Sequence, residues 1–195
     1  MKHYSRTTSS KIFLTLAIAL AVIAMPGIAS AQYSDVFGVS YFANNVPAAP
    51  DATIQLANPG AAGGNLCAMI YVFDTTEELS ECCGCLTTMD GLSTLSLKKD
   101  LTSNPLGGPV LSRGVIKVVA SELNGYPCDP TYDVLPTPDL RLWATHIQKV
   151  GSTYPITETE FSESFLSGTE LYNLQEECTF VNILGSGHGQ CTCGD

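Results

Sequence analysis

The feature that most constrains this chain is the tetrad Cys82-Cys83-Gly84-Cys85, which follows the most apolar strand-like run, Leu66 to Phe73. Adjacent cysteines rarely bond to each other, because the small ring is strained and the Cβ separation poor. Cys82 and Cys83 therefore need separate, remote partners. Five further cysteines, Cys67, Cys128, Cys178, Cys191 and Cys193, can supply them. The economical pairing sends the 82/83/85 knot to the C-terminal set 178/191/193, stitching the chain's end to its central strand. Cys67 and Cys128 then remain for each other. Which sulfur meets which within the larger set stays open.

The N-terminus says where such bridges form. Lys2, Arg6 and Lys11 make a basic start, Ile12 to Met25 is almost unbroken apolar sequence, and Pro26-Gly27 breaks it. Ala29-Ser30-Ala31 then offers the small-x-small pattern of a signal-peptidase site, so residues 1–31 read as a signal peptide and Gln32 as the first mature residue. The apolar run is shorter than the roughly 20 residues a spanning helix needs. Residues 32–195 are then expected to form a single β-rich secreted domain, extracellular or periplasmic, with no membrane span after cleavage. An even number of cysteines, all in the mature part, fits an oxidising compartment and up to four disulfides.

The formal net charge of the whole chain is −10, and the signal removes three basic residues and no acid. A surface this acidic repels phosphate backbones and anionic membranes, which excludes nucleic acid as an expected partner.

In chain order, Tyr33–Asn45 reads as a strand, followed by a Pro/Ala linker that cannot continue a ladder. Ala52–Ala57 alternates and reads as a second strand; Leu66–Phe73 is apolar on both faces, as a central strand is. Thr76–Cys82 is expected to make one helical turn. Asp90-Gly91 between Leu86–Met89 and Leu92–Leu97 predicts a hairpin, because a type I′ turn needs positive φ at both central residues. Lys98–Pro109 is loop, Val110–Leu123 one long strand or a pair, and Asn124-Gly125 a turn. Tyr126–Pro138 is a four-proline loop that carries Cys128. Leu140–Lys149 is a strand with Leu142, Ala144 and His146 on one face and Trp143, Thr145 and Ile147 on the other. Ile156–Phe165 alternates with one wet face. Ser167-Gly-Thr-Glu170 is a capping box and predicts a helix over 168–177, with Leu171 and Leu174 inward. Cys178–Leu184 and Gln190–Cys193, around a glycine-rich turn, are expected to form a closing hairpin.

Chemistry-bearing residues are few. A thiolate metal site from Cys82, Cys83, Cys85, Cys191 and Cys193, with His188, would suit zinc or Cu(I). The spacing matches no zinc ribbon, and disulfides are the expected state of all eight cysteines. His146 reads as a core or edge histidine and His188 as an exposed loop residue. No G-x-S-x-G elbow is present. Glu158, Glu160 and Glu163, or Asp129, Asp133 and Asp139, can offer oxygens to calcium, but neither set has the spacing of a calcium loop. Trp143 is read as core rather than as a sugar platform. No catalytic residue, cofactor or resident metal is expected.

The stretches Gly-Asn-Leu-Cys-Ala-Met-Ile-Tyr-Val-Phe-Asp, Glu-Cys-Cys-Gly-Cys and Asp-Leu-Thr-Ser-Asn-Pro-Leu resemble secreted cysteine-containing bacterial proteins, no member of which has a known function. The resemblance implies export and a cysteine framework, and no activity.

The expected fold is mainly β: an immunoglobulin-like β-sandwich with one short C-terminal helix and disulfide cross-links. The expected role is that of an exported structural or surface-interaction protein. It would meet a protein partner or its own copies at the cell surface, with the Tyr33–Asn45 strand as the element to lend to a neighbour's sheet edge. A secreted cation- or glycan-binding module is the alternative, and a metalloprotein or enzyme using the Cys cluster ranks below it.

Overall fold

Leu66–Phe73 (β3) is buried along all eight of its residues, so both of its faces need cover. A computed structural model supplies the two layers that cover it, and describes residues 36–124 and 127–194. The expected signal segment, the start of the Tyr33 strand and Gly125 of the expected turn lie outside the described residues.

The described residues form nine strands and one α-helix: β1 (Phe37–Phe42), β2 (Thr53–Ala57), β3 (Leu66–Phe73), β4 (Leu79–Thr87), β5 (Leu92–Ser96), β6 (Gly114–Glu122), β7 (Arg141–Ile147), β8 (Ile156–Glu160), β9 (Ser162–Glu163) and α1 (Gly168–Ile183). The first sheet runs β4-β3-β6-β1-β9 and the second β5-β2-β7-β8. Every ladder is antiparallel. The sandwich expectation holds at the level of architecture: two antiparallel sheets face each other across a shared core.

Strand alternation divides β3 between two cores. Leu66, Ala68, Ile70 and Val72 join Leu56, Leu95, Ile116, Val118 and Ala144 between the sheets. Cys67, Met69, Tyr71 and Phe73 face the other way, under Leu174, Cys178 and Val181 of α1 and Val134 of the loop after β6. Each fully buried aliphatic side chain contributes roughly 1.5–3 kcal/mol. The Tyr71 hydroxyl, deep in the second core, donates to the Pro130 carbonyl at 2.8 Å and so leaves no polar group unpaired.

Four local expectations are corrected. Thr76–Cys82 forms no helical turn. The Asp74 carboxylate accepts the Thr76 and Glu78 amides at 2.7 and 3.0 Å, Glu77 takes φ 69°, and β4 begins at Leu79. The tetrad therefore lies inside a strand. Asp90-Gly91 closes no hairpin: β4 ends in the first sheet, and β5 begins in the second, paired to β2. Asp90 does adopt positive φ, but the Asn58 amide takes the Gly91 carbonyl at 3.0 Å and draws the chain to β2. Lys98–Pro109 is not all loop, because Leu97–Leu101 closes a π-helical turn capped by Ser96. The closing hairpin is absent as well. The helix continues to Ile183, since Leu174, Cys178 and Val181 fall on one buried stripe.

The capping box is half made. The Ser167 hydroxyl accepts the Glu170 amide at 3.0 Å, but the Glu170 carboxylate turns outward to Lys117, at 2.7 Å.

Both open sides of the sandwich are closed. On one side the chain passes from β8 to β9 through buried Phe161, whose amide donates to the Leu142 carbonyl of the second sheet at 2.9 Å. Ser164 then donates to Phe37 of the first sheet at 2.9 Å. The C-terminal tail closes the other side. Among the described residues no helix is long and apolar enough to cross a membrane.

Candidate functional site

β4 is an edge strand of the first sheet, and an uncovered edge exposes unpaired backbone groups. The tail covers it. After α1, Gly185, Gly187 and Gly189 adopt positive φ and turn the chain back. Cys82 then donates to the Gly189 carbonyl at 2.9 Å, and Cys191 donates to the Cys82 carbonyl at 3.2 Å. Thr192 donates to Asp100 at 2.9 Å, which joins the tail to the turn after β5 in the second sheet.

Strand alternation decides which cysteine meets which. Cys83 and Cys85 share the face turned to the tail and bond Cys191 and Cys193, each pair separated by 108 residues. Cys82 points to the opposite face and bonds Cys178 of α1. Cys67 bonds Cys128, pinning the proline loop to β3. The described residues hold no free cysteine. The grouping of 82/83/85 with 178/191/193 is thus the one present, with the order supplied by the strand. Gly84 lies where the proline loop crosses β4: a Cβ there would stand 2.1 Å from the Cys128 carbonyl oxygen.

Beside the clasp lies a buried acid that sequence reasoning missed. Glu81 is wholly buried; one carboxylate oxygen accepts the Asn104 amide at 2.9 Å, and the other has no protein partner. Burial pushes its pKa up to about 8, against 4.5 for the ordinary group. Asn104 carries the connection onward, its side chain donating to Gly187 and Gln190 and meeting His188 Nδ1 at 2.8 Å. The folded chain therefore holds a proton on Glu81 between pH 4.5 and 8 that the unfolded chain releases, so the contribution of Glu81 to stability falls as pH rises through that window. Glu81→Gln keeps the acceptor for Asn104 and has no charge to bury. We expect it to flatten this slope and to raise Tm at pH 8 while leaving pH 4 nearly unchanged. The gain should be about 2–4 °C for each kcal/mol relieved, read by thermal unfolding across pH. An unchanged slope in the variant would contradict a buried, protonated Glu81.

The other candidates do not converge. His146 is buried, stacked on Tyr41 at 4.6 Å between centroids, with Nε2 2.7 Å from the Thr159 hydroxyl. Burial pushes its pKa down, which makes it a neutral core histidine. Neither His146 nor His188 bonds a carboxylate. Glu158 and Glu160 lie on exposed β8, opposite Thr145 and Trp143, and Glu163 pairs across to Gly38. Asp129 caps its own turn by accepting from Thr131, while Asp133 and Asp139 take positive φ in the loop. Trp143 corrects the core reading: it is half-buried on the outer face of the second sheet, between Gln55 and Glu160. The one grouping of three or more potential ligand atoms among the described residues is sulfur, from Cys83, Cys85 and Cys193.

The second unforeseen feature is a ridge on α1. Phe180 and Ile183 are 58 % and 75 % exposed, and the exposed Tyr132 and Tyr172 line one groove with them. Phe180 separates two open grooves. One, of about 550 Å³, is lined by Tyr132, Asp133, Tyr172, Glu176 and Ile183. The other, of about 560 Å³, is lined by Glu77, Glu78, Leu106 and Glu177. Among the described residues no lysine or arginine lines either groove. Burial and the neighbouring Glu170 push the Glu177 carboxyl up, against the pull of Lys117. Ending the helix at 177 in the sequence reading hid this ridge, because Phe180 and Ile183 then fell in a strand.

Comparison with protein-family models, curated proteins and solved structures finds no match for this chain.

Proposed function

We propose that this chain is an exported, disulfide-stabilised surface-interaction protein. The sandwich is its frame, and the α1 ridge is its docking surface for a basic, apolar segment of a partner protein. Export rests on the signal pattern of residues 1–31 and is consistent with four disulfides, which fit an oxidising compartment. The observation that carries the docking reading is the bare Phe180–Ile183 ridge with the acidic lining of its two grooves. Large contiguous exposed apolar surface marks an interaction site, and a rim of one sign selects a partner of the other. Two copies of this chain would set acid against acid here, so the ridge favours a different protein. β1 is a poor element to lend to a neighbour, being paired to β6 over all six of its residues.

The test is fluorescence anisotropy with synthetic peptides that alternate Lys or Arg with Leu or Phe, against acidic and neutral counterparts. The basic peptides should bind, weaken as salt rises, and lose at least tenfold in affinity to Phe180→Ala combined with Ile183→Ala. Both side chains are exposed, so the unfolding temperature of the variant should be unchanged. Equal affinity in the variant, or no preference for basic peptides, would refute the docking reading. A neutral-glycan reading has one observation in its favour, the outward Trp143 between Gln55 and Glu160. Polysaccharide binding lost in Trp143→Ala would select it.

A further inference from the structure

Two of the four disulfides lie side by side. We infer that the clasp, when reduced, is a tetrathiolate site for a thiophilic metal ion such as zinc, formed by Cys83, Cys85, Cys191 and Cys193. This inference is independent of the docking ridge.

The geometry comes first. The sulfurs of Cys83, Cys85 and Cys193 all lie within 4.8 Å of one another, and the Cys191 sulfur, bonded to Cys83, stands at the edge of that group. Zinc holds thiolates at about 2.3 Å in a tetrahedron, which sets the sulfurs roughly 4 Å apart. Three of the sulfurs already stand close to that spacing, and reduction frees the Cys191 side chain to turn in as the fourth. The spacing is Cys-x-Cys twice, once on a rigid strand and once on the tail.

The frame holds these positions without the two bridges. Cys83 and Cys85 are fixed by the β3–β4 ladder, which pairs them with Ile70 and Ala68. The tail is held by the Cys82–Gly189, Cys191–Cys82 and Thr192–Asp100 backbone bonds, and by the Asn104 side chain on the Gln190 carbonyl at 3.2 Å. The helix that leads into it stays anchored through Cys82–Cys178, and the proline loop through Cys67–Cys128.

Access singles out one bridge. Cys193 is the one exposed cysteine among the described residues; Cys67, Cys82, Cys85, Cys178 and Cys191 are buried, and Cys83 and Cys128 are half-buried. A small thiol reductant thus meets Cys85–Cys193 first, and opening it uncovers Cys83–Cys191 beside it. Two equivalents of a dithiol supply four electrons and four protons, giving four protein thiols and two oxidised dithiols. Zinc then binds four thiolates and releases four protons. Oxidised and reduced forms of the same clasp therefore exclude and accept the metal, respectively.

The experiment treats the folded protein with dithiothreitol under anaerobic, non-denaturing conditions. Thiols are counted and mapped by alkylation, and the protein is then titrated with cobalt(II) as a spectroscopic stand-in for zinc. Four thiols at 83, 85, 191 and 193 are expected, with far-UV circular dichroism preserved. One cobalt per chain should bind with the visible bands of a tetrahedral thiolate, bleached by zinc. Cys193→Ser should weaken cobalt at least tenfold, while Val150→Ala, on an exposed side chain outside the site, should retain the bands. The inference is overturned by four mapped thiols without tetrahedral bands, by cobalt binding indifferent to Cys193→Ser, or by loss of the sandwich on opening the clasp.

Discussion

Replacing Cys82 and Cys178 together by alanine should destabilise the folded protein by about 3 kcal/mol or more. With Cys83–Cys191 kept, the bridge closes a further loop of about 15 residues in the unfolded chain, and constraining a loop of that size is worth roughly 3 kcal/mol. Both sulfurs are also buried in the core beneath α1, so the variant loses packing as well. For a chain of this length a loss of that size corresponds to a fall in Tm of roughly 6–12 °C. The paired replacement of Cys85 and Cys193 provides the comparison. With Cys83–Cys191 kept, its loop is only a few residues long, Cys193 is exposed, and the tail it secures carries little core. A clearly smaller loss is expected there, from the shorter loop and from the absence of packing beneath α1. Equal losses would contradict this ranking. No measurable loss in the 82/178 variant would contradict the bridge as a structural member.

Gly84→Ala should be almost as damaging, at about 3 kcal/mol or more. The added Cβ would stand 2.1 Å from the Cys128 carbonyl oxygen and 2.6 Å from its carbon. Neither side can yield. β4 is pinned by the ladder to β3 and by the bridges at Cys83 and Cys85, and Cys128 is pinned through Cys67. Gly168→Ala is the control: nothing lies within 4 Å of its Cβ position, and it opens α1. That change should be neutral or stabilise by about 0.5–1 kcal/mol, because alanine has less backbone freedom to lose. Chemical denaturation of the two variants beside the parent chain reads both numbers. Similar stabilities for the two variants would mean that the proline loop does not cross β4 at Gly84.

What the sequence made legible is what local chemistry decides. The unbroken apolar run of Leu66–Phe73 could only be a strand covered on both faces, and it is. Ser167 could be recognised as a helix cap because its hydroxyl acts three residues away. The cysteine groups were legible because neighbours cannot bond each other. The misses share a different cause. Asp90-Gly91 has the chemistry of a tight hairpin, and Asp90 even adopts its backbone angle. Whether the strands it joins pair or part is settled by Asn58, more than thirty residues upstream. The helix end was misplaced because Thr179, Val181 and Ile183 have strand preferences, while Cys82–Cys178 and the buried Val181 hold them in a helix. Glu81 looked like an ordinary strand carboxylate. Its burial comes from the loop at Asn104 and the returning tail, and nothing near it in sequence signals either. The α1 ridge was lost with the helix end. Tertiary packing, not local propensity, decides these places.

The most direct test of the frame is the intact mass of the purified protein before and after reduction and thiol capping, with bridges mapped by peptide digestion. The account predicts no cappable thiol before reduction and bridges 67–128, 82–178, 83–191 and 85–193. Free thiols in the tetrad, or a bridge from Cys82 or Cys83 to Cys128 or Cys67, would break the link between strand alternation and partner choice on which the clasp rests.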